Sequence, residues 1–195
     1  MNLNFEYLRH HLRARVFELI RRPQRAIEEY RLALRHDPDS QTDLNSLAML
    51  LAAIGQDADA EHAFRRALLR KPEDPFIIFN LGFLCERQGK PAEAVEFFTT
   101  ATTIKPTLDR AWYGLGLSRA HLGEHEQAIV AFTRAAELQP MNPHAWYNLG
   151  MAHHSLHQPE RVAEIIIHVH RFDPKMAALM IAETGRSDLD YLLGT

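Results

Sequence analysis

Residues 109–142 read DRAWYGLGLSRAHLGEHEQAIVAFTRAAELQPMN, and two punctuation marks decide how the stretch folds. Gly123 falls midway, where a chain leaving one helix uses a residue that tolerates positive φ. Pro140 lacks an N–H and clashes with a continuing helix, so it stops the second run. The stretch is therefore a helix, a turn, a second helix and a stop.

Moving outward by 34 residues in either direction finds the same punctuation. Pro38, Pro72, Pro106, Pro140 and Pro174 share this interval, and Gly55 and Gly89 stand where Gly123 does. Counting from the prolines gives five repeats, 7–40, 41–74, 75–108, 109–142 and 143–176, without insertion. The eighth position is always small: Ala14, Ala48, Gly82, Gly116 and Gly150. So, with valine in the last repeat, are the twentieth (Ala26, Ala60, Ala94, Ala128, Val162) and the twenty-seventh (Ala33, Ala67, Ala101, Ala135, Val169). Small residues there let two helices approach closely. Large side chains fill the remaining space: Leu47, Leu81, Leu115 and Leu149 at the seventh position, and Tyr30, Phe64, Phe98, Phe132 and Ile166 at the twenty-fourth.

Trp112, Leu115, Gly116, Ala128, Phe132, Ala135 and Pro140, with Trp146, Leu149 and Gly150 reopening the pattern, resemble the tetratricopeptide-repeat family. The resemblance covers 170 of 195 residues. It implies an all-α, right-handed superhelical solenoid of helix-turn-helix repeats, one domain over residues 1–195 with a cap and tail over 177–195. The ends depart from the pattern. His10 and Arg13 replace the leucines of later first helices, which predicts an exposed or capping N-terminal helix. Met176 to Thr184 reads as a short capping helix with Leu179 and Met180 toward the core, stopped by Gly185.

Composition excludes several classes of function. The chain is 46% hydrophobic and 24% charged with a formal charge of -3, so it lacks the concentrated basic surface that nucleic acid requires. The N-terminal arginines 9, 13, 15, 21, 22 and 25 are interleaved with Glu18, Glu28 and Glu29, the pattern of a solvated helix face. No window approaches the roughly 18 apolar residues of a membrane span, and Arg9 to Arg15 interrupt any secretory signal. A single cysteine, Cys85, permits no internal disulfide and reads as a small buried hydrophobe. A cytoplasmic setting is the expectation.

No nucleophile elbow or phosphate-cradling loop is present, so neither catalysis nor a cofactor is expected. Eight of the 12 histidines fall in the last two repeats, but the spacing of His121, His125, His144, His153, His154 and His157 is loose. His153 sits at a packed position and His157 at the turn, which predicts no metal site.

The resemblance implies a concave binding wall at positions 2, 5, 9 and 12 or 13 of the first helices. Position 5 carries His11, Asn45, Phe79, Tyr113 and Tyr147, and position 9 carries Arg15, Met49, Phe83, Leu117 and Met151. Phe76 extends the aromatic stripe of Phe79 and Phe83, and positions 4, 7, 8 and 11 already supply the core face, which leaves the stripe for a ligand. Arg87, Arg110 and His121 serve its polar edges. The family's carboxylate clamp for acidic C-termini is matched only by Asn80 and Arg110, with Asn45, Met49 and Gly114 in place of its other donors. The expected partner is therefore an apolar or amphipathic protein segment, held by an adaptor of the kind that assists bacterial secretion or envelope assembly. The alternative is a scaffold that self-assembles into homo-oligomers through terminal segments in neighbouring grooves.

Overall fold

A computed structural model describes residues 5–193. Among them are eleven α-helices, a closing 3-10 helix and no strand. In chain order the first six helices are α1 (Phe5–Leu19), α2 (Pro23–His36), α3 (Gln41–Ala53), α4 (Asp57–Arg70), α5 (Pro75–Arg87) and α6 (Pro91–Ile104), and α1 packs on α2 and α3 on α4. Then come α7 (Asp109–His121) with α8 (His125–Leu138) and α9 (Pro143–Ser155) with α10 (Pro159–His170). The cap α11 (Pro174–Thr184) and the 3-10 helix Ser187–Leu193 follow. The all-α helix-turn-helix fold expected from the sequence is thus observed. None of these helices is long and apolar enough to cross a membrane.

The fifteenth position of every repeat has a left-handed backbone. Gly55, Gly89 and Gly123 have φ of 79°, 72° and 77°, and Arg21 and His157 adopt φ of 55° without glycine's freedom. The next residue's N–H then reaches back to the eleventh residue's carbonyl, from Arg22 to Phe17, Gln56 to Leu51, Lys90 to Cys85, Glu124 to Arg119 and Gln158 to His153. This six-to-one bond satisfies a carbonyl that the helix end would otherwise leave open.

Two compact units divide the chain, Met1–Leu84 and Cys85–Thr195, with the boundary inside α5. In the first, Ala14, Ala26, Tyr30 and Ala33 of one repeat and Leu44, Ala48, Ala60, Phe64 and Ala67 of the next are buried. In the second, Ala128, Phe132, Leu149, Val162, Ile166, Val169 and Met180 form one cluster. A Cβ placed on Gly116 would stand 2.5 Å from the Phe132 ring, and one on Gly114 would stand 2.6 Å from the Phe98 ring. The helices therefore meet through bare backbone, closer than any side chain permits. Successive repeats are also keyed by tryptophan: the indoles of Trp112 and Trp146 each donate a 2.9 Å hydrogen bond to the carbonyl of the preceding repeat's proline, Pro106 and Pro140.

Four features depart from or add to the sequence expectations. Pro174 does not stop a helix but opens α11 at its first turn, where its missing N–H is harmless, and Asp173 caps the Met176 N–H at 3.0 Å. Met180 is fully buried, whereas Leu179 is 45% exposed and does not face the core. Leu189 of the closing 3-10 helix is buried in the same cluster as Met180, so the tail packs on its own repeat, while Tyr191 and Leu193 are exposed. Positions 3 and 10 are also buried in the later repeats, as Ile77, Ala111 and Ala145 and as Leu84, Ser118 and Ala152 show. Cys85 is buried, in keeping with a packing role.

Two alanine substitutions separate close helix contact from loose. On Gly116 the new methyl meets the rigid Phe132 ring; on Gly150 it meets only the flexible end of Met180 at 2.4 Å. Gly116→Ala is expected to destabilise by about 1–2 kcal/mol in urea unfolding, overpacking outweighing the gain in helix propensity. Gly150→Ala should stay within about 0.5 kcal/mol of the parent, because the thioether can swing aside. Equal effects at both sites would refute this account of the packing.

Candidate functional site

The thirteen wall residues expected from the sequence fall into both units. In the first unit, α3 contributes Asn45 and Met49, and α5 contributes Phe76, Phe79, Asn80 and Phe83. Met49, Phe76 and Phe83 are each 51% exposed. Phe79, one helical turn from both neighbours, is only 8% exposed. The stripe is thus a buried aromatic floor between two exposed rims rather than three equivalent rings. Asn80 donates its amide to the Met49 sulfur at 3.4 Å, which ties the α5 face to the α3 face. Asn45 is half-buried, and its Oδ1 is enclosed without a hydrogen-bond partner. The amide oxygen is therefore turned into the protein and away from any ligand.

In the second unit, Arg87 ends α5, α7 carries Arg110, Tyr113, Leu117 and His121, and α9 carries Tyr147 and Met151. Tyr113, Leu117 and Tyr147 are half-buried against the Phe132 and Leu149 cluster, and Met151 is half-buried as well. Their hydroxyls are placed. The Tyr113 phenol accepts a 3.0 Å hydrogen bond from Asn148, and the Tyr147 phenol donates at 2.6 Å to the carboxylate of Glu183 on α11. Burial raises the pKa of Tyr113, partly offset by the Asn148 amide. Tyr147 is raised first by its bond to the Glu183 carboxylate, which would repel a phenolate, and then by burial.

Arg87, Arg110 and His121 are exposed. His121 is not simply an open imidazole: Glu86 engages its Nδ1 and also accepts from the Ser118 hydroxyl at 2.5 Å. Glu86 and Glu183 therefore belong to the polar edge of this unit, although no spacing in the sequence marked them. Gly114 explains the missing clamp. Its Cα lies under the Phe98 ring, so the basic side chain that a clamp needs at this position has no room.

A concavity of about 370 Å³ is lined by Thr99, Thr102, Trp112, Leu115, Arg119 and Val130 of α6, α7 and α8, and by none of the wall residues. Among the wall residues, the first unit thus leaves apolar side chains partly exposed, and the second holds its two phenols in hydrogen bonds.

Comparison with known proteins matches two family models, a tetratricopeptide repeat over residues 45–109 and a TPR repeat over residues 119–156. No protein of curated function matches the sequence. Several solved structures share the fold. A MamA chain from Desulfovibrio magneticus RS-1, residue 41 to its end, superposes with a TM-score of 0.82 at 19% identity, covering 87% of this chain and 96% of that one. YrrB, described as a TPR protein with an unusual peptide-binding site, gives 0.79 at 21% identity over 92% and 94%. PilW, described as a widely conserved type IV pilus biogenesis factor, gives 0.77 at 22% identity over 95% and 89%. With the two repeat models matching residues 45–109 and 119–156 of this helix-turn-helix array, the chain belongs to the tetratricopeptide-repeat family.

Proposed function

We propose that this protein is a non-catalytic cytoplasmic scaffold that captures an apolar or amphipathic segment of another protein on its first-helix wall. The observation that carries the reading is the half-exposure of Met49, Phe76 and Phe83 in one unit. Large apolar side chains left in water on one face mark a docking surface, and aromatic anchors of this kind supply most of an interface's energy. An amphipathic helix would set its apolar positions against these side chains, with Asn80 offering a polar contact beside them. The sequence carries no nucleophile elbow or phosphate-cradling loop, and its balance of charge does not favour nucleic acid. The fold shared with a peptide-binding protein and with a pilus biogenesis factor suggests a place in assembling bacterial secretion or envelope structures.

A second reading, self-assembly, is favoured by a different observation. Helix α1 leaves Phe5, Leu8, Leu12, Val16 and Leu19 exposed, three or four residues apart along its length, with fractional exposures of 71, 37, 54, 56 and 83%. This stripe has no counterpart in the later repeats, and a second copy could cover it.

Separate variants test the two readings. Phe76→Glu with Phe83→Glu is expected to abolish capture of partner proteins by the immobilised full chain, with little change in the thermal melt because both rings are already exposed. Retention of the same partners by the double variant would sink the scaffold reading. Leu12→Glu with Val16→Glu is expected to lower the molar mass in light scattering if α1 is the self-contact. A mass identical to that of the parent chain would remove α1 from the account.

A further inference from the structure

The core of the first repeat breaks the pattern of the other four. Where later first helices place Leu44, Ile78, Trp112 or Trp146, the first two buried and the tryptophans half-buried, α1 buries His10, and opposite it α2 buries Glu29 where later second helices place Ala63, Phe97, Ala131 or Ile165. His10 Nδ1 lies 2.6 Å from one Glu29 oxygen, and Arg13 pairs with the other at 2.9 Å. A buried ionic pair of this sort is seldom better for stability than the apolar residues it replaces. What it does is hold a ring. With Nδ1–H donated to Glu29, the lone pair of His10 is on Nε2, and the carboxylate fixes where that lone pair points.

Three donors converge at that point. Ligand atoms of Glu6, His10 and His36 all lie within 4.8 Å of one another, drawn from α1 and from the last turn of α2. The His10 and His36 rings stand nearly parallel, with centroids 6.0 Å apart and planes inclined by 10°. A cation already occupies part of the space. The Arg9 guanidinium is 2.6 Å from the Glu6 carboxylate and 3.3 Å from His10 Nε2. That side chain is long and about half exposed, so it can withdraw into solvent when a metal ion takes its place.

We propose that Glu6, His10 and His36 form a site for a divalent transition metal, with zinc as the natural fit. Two imidazoles and one carboxylate are a zinc donor set, and the open side toward solvent leaves the fourth position to water. Glu29 is the outer carboxylate that orients the buried histidine, as such partners do in established zinc sites. Bound metal would staple the start of α1 to the end of α2, which compensates the repeat for its polar core. It goes beyond the scaffold reading, on which it does not depend.

The test uses the full chain after chelator treatment, titrated with zinc alone by calorimetry and melted with and without zinc. One zinc per chain is expected, with a higher melting temperature when zinc is in excess. His36→Ala and Glu6→Gln change exposed or half-exposed side chains, so both should melt like the parent chain in chelator. Each is expected to weaken zinc binding by about tenfold or more and to lose the thermal shift. A variant with His153, His154 and His157 changed to alanine should bind as the parent does. The proposal is overturned if no zinc binds at micromolar concentration, if His36→Ala and Glu6→Gln bind like the parent, or if binding is lost with the three C-terminal histidines instead.

Discussion

Each repeat depends on the approach of its second helix to a first helix that has almost no side chain at the point of contact. The twenty-fourth residue, Tyr30, Phe64, Phe98, Phe132 or Ile166, is fully or almost fully buried in every case. Opposite it the eighth residue is alanine or glycine. At Gly116 the aromatic ring occupies the very volume in which a Cβ would stand. Interiors packed at this density respond to single methyl groups, and so the small positions recur through all five repeats while the surface varies. The left-handed fifteenth residue and the six-to-one bond after it set the angle at which the second helix returns to make that contact.

The first repeat solves the same packing problem with charge. Its small positions are unchanged, but His10, Glu29 and Arg13 form a polar network where later repeats use aliphatic and aromatic side chains. The network continues toward the second repeat, where Asp43 is wholly buried and His11 Nδ1 lies 2.6 Å from its Oδ1. Buried polar groups cost stability when left unpaired, and one Asp43 oxygen has no hydrogen-bond partner among the described residues. Specificity of pairing is what such networks provide in exchange, because an apolar surface slides where a bidentate carboxylate does not.

The period, the helix boundaries and the small-to-large packing were legible in the sequence because they rest on residue types with strong local consequences: proline, glycine and alanine. That Phe76, Phe79 and Phe83 share one helix face was also legible, since this follows from spacing alone. The depth of each ring was not. Phe76, Phe79 and Phe83 share a stripe, yet whether a ring is floor or rim is set by how closely the neighbouring helices approach, which spacing along one helix does not encode. The α1 stripe was not legible for a related reason: Val16 stands at the tenth position, which is buried at Leu84, Ser118 and Ala152 but is exposed here. Glu6, His10 and His36 lie too far apart in the chain to show a ligand spacing, and only the folded hairpin brings them together.

Arg21 and His157 hold, in the outermost two repeats, the backbone conformation that glycine holds in the inner three. A side chain in that conformation costs on the order of 1–2 kcal/mol. The array thus resembles a zipper whose teeth are seated more loosely at its two ends than along its middle. Local opening is thereby favoured at the turns of Arg21 and His157 over the glycine turns at Gly55 and Gly89 that flank Phe76 and Phe83.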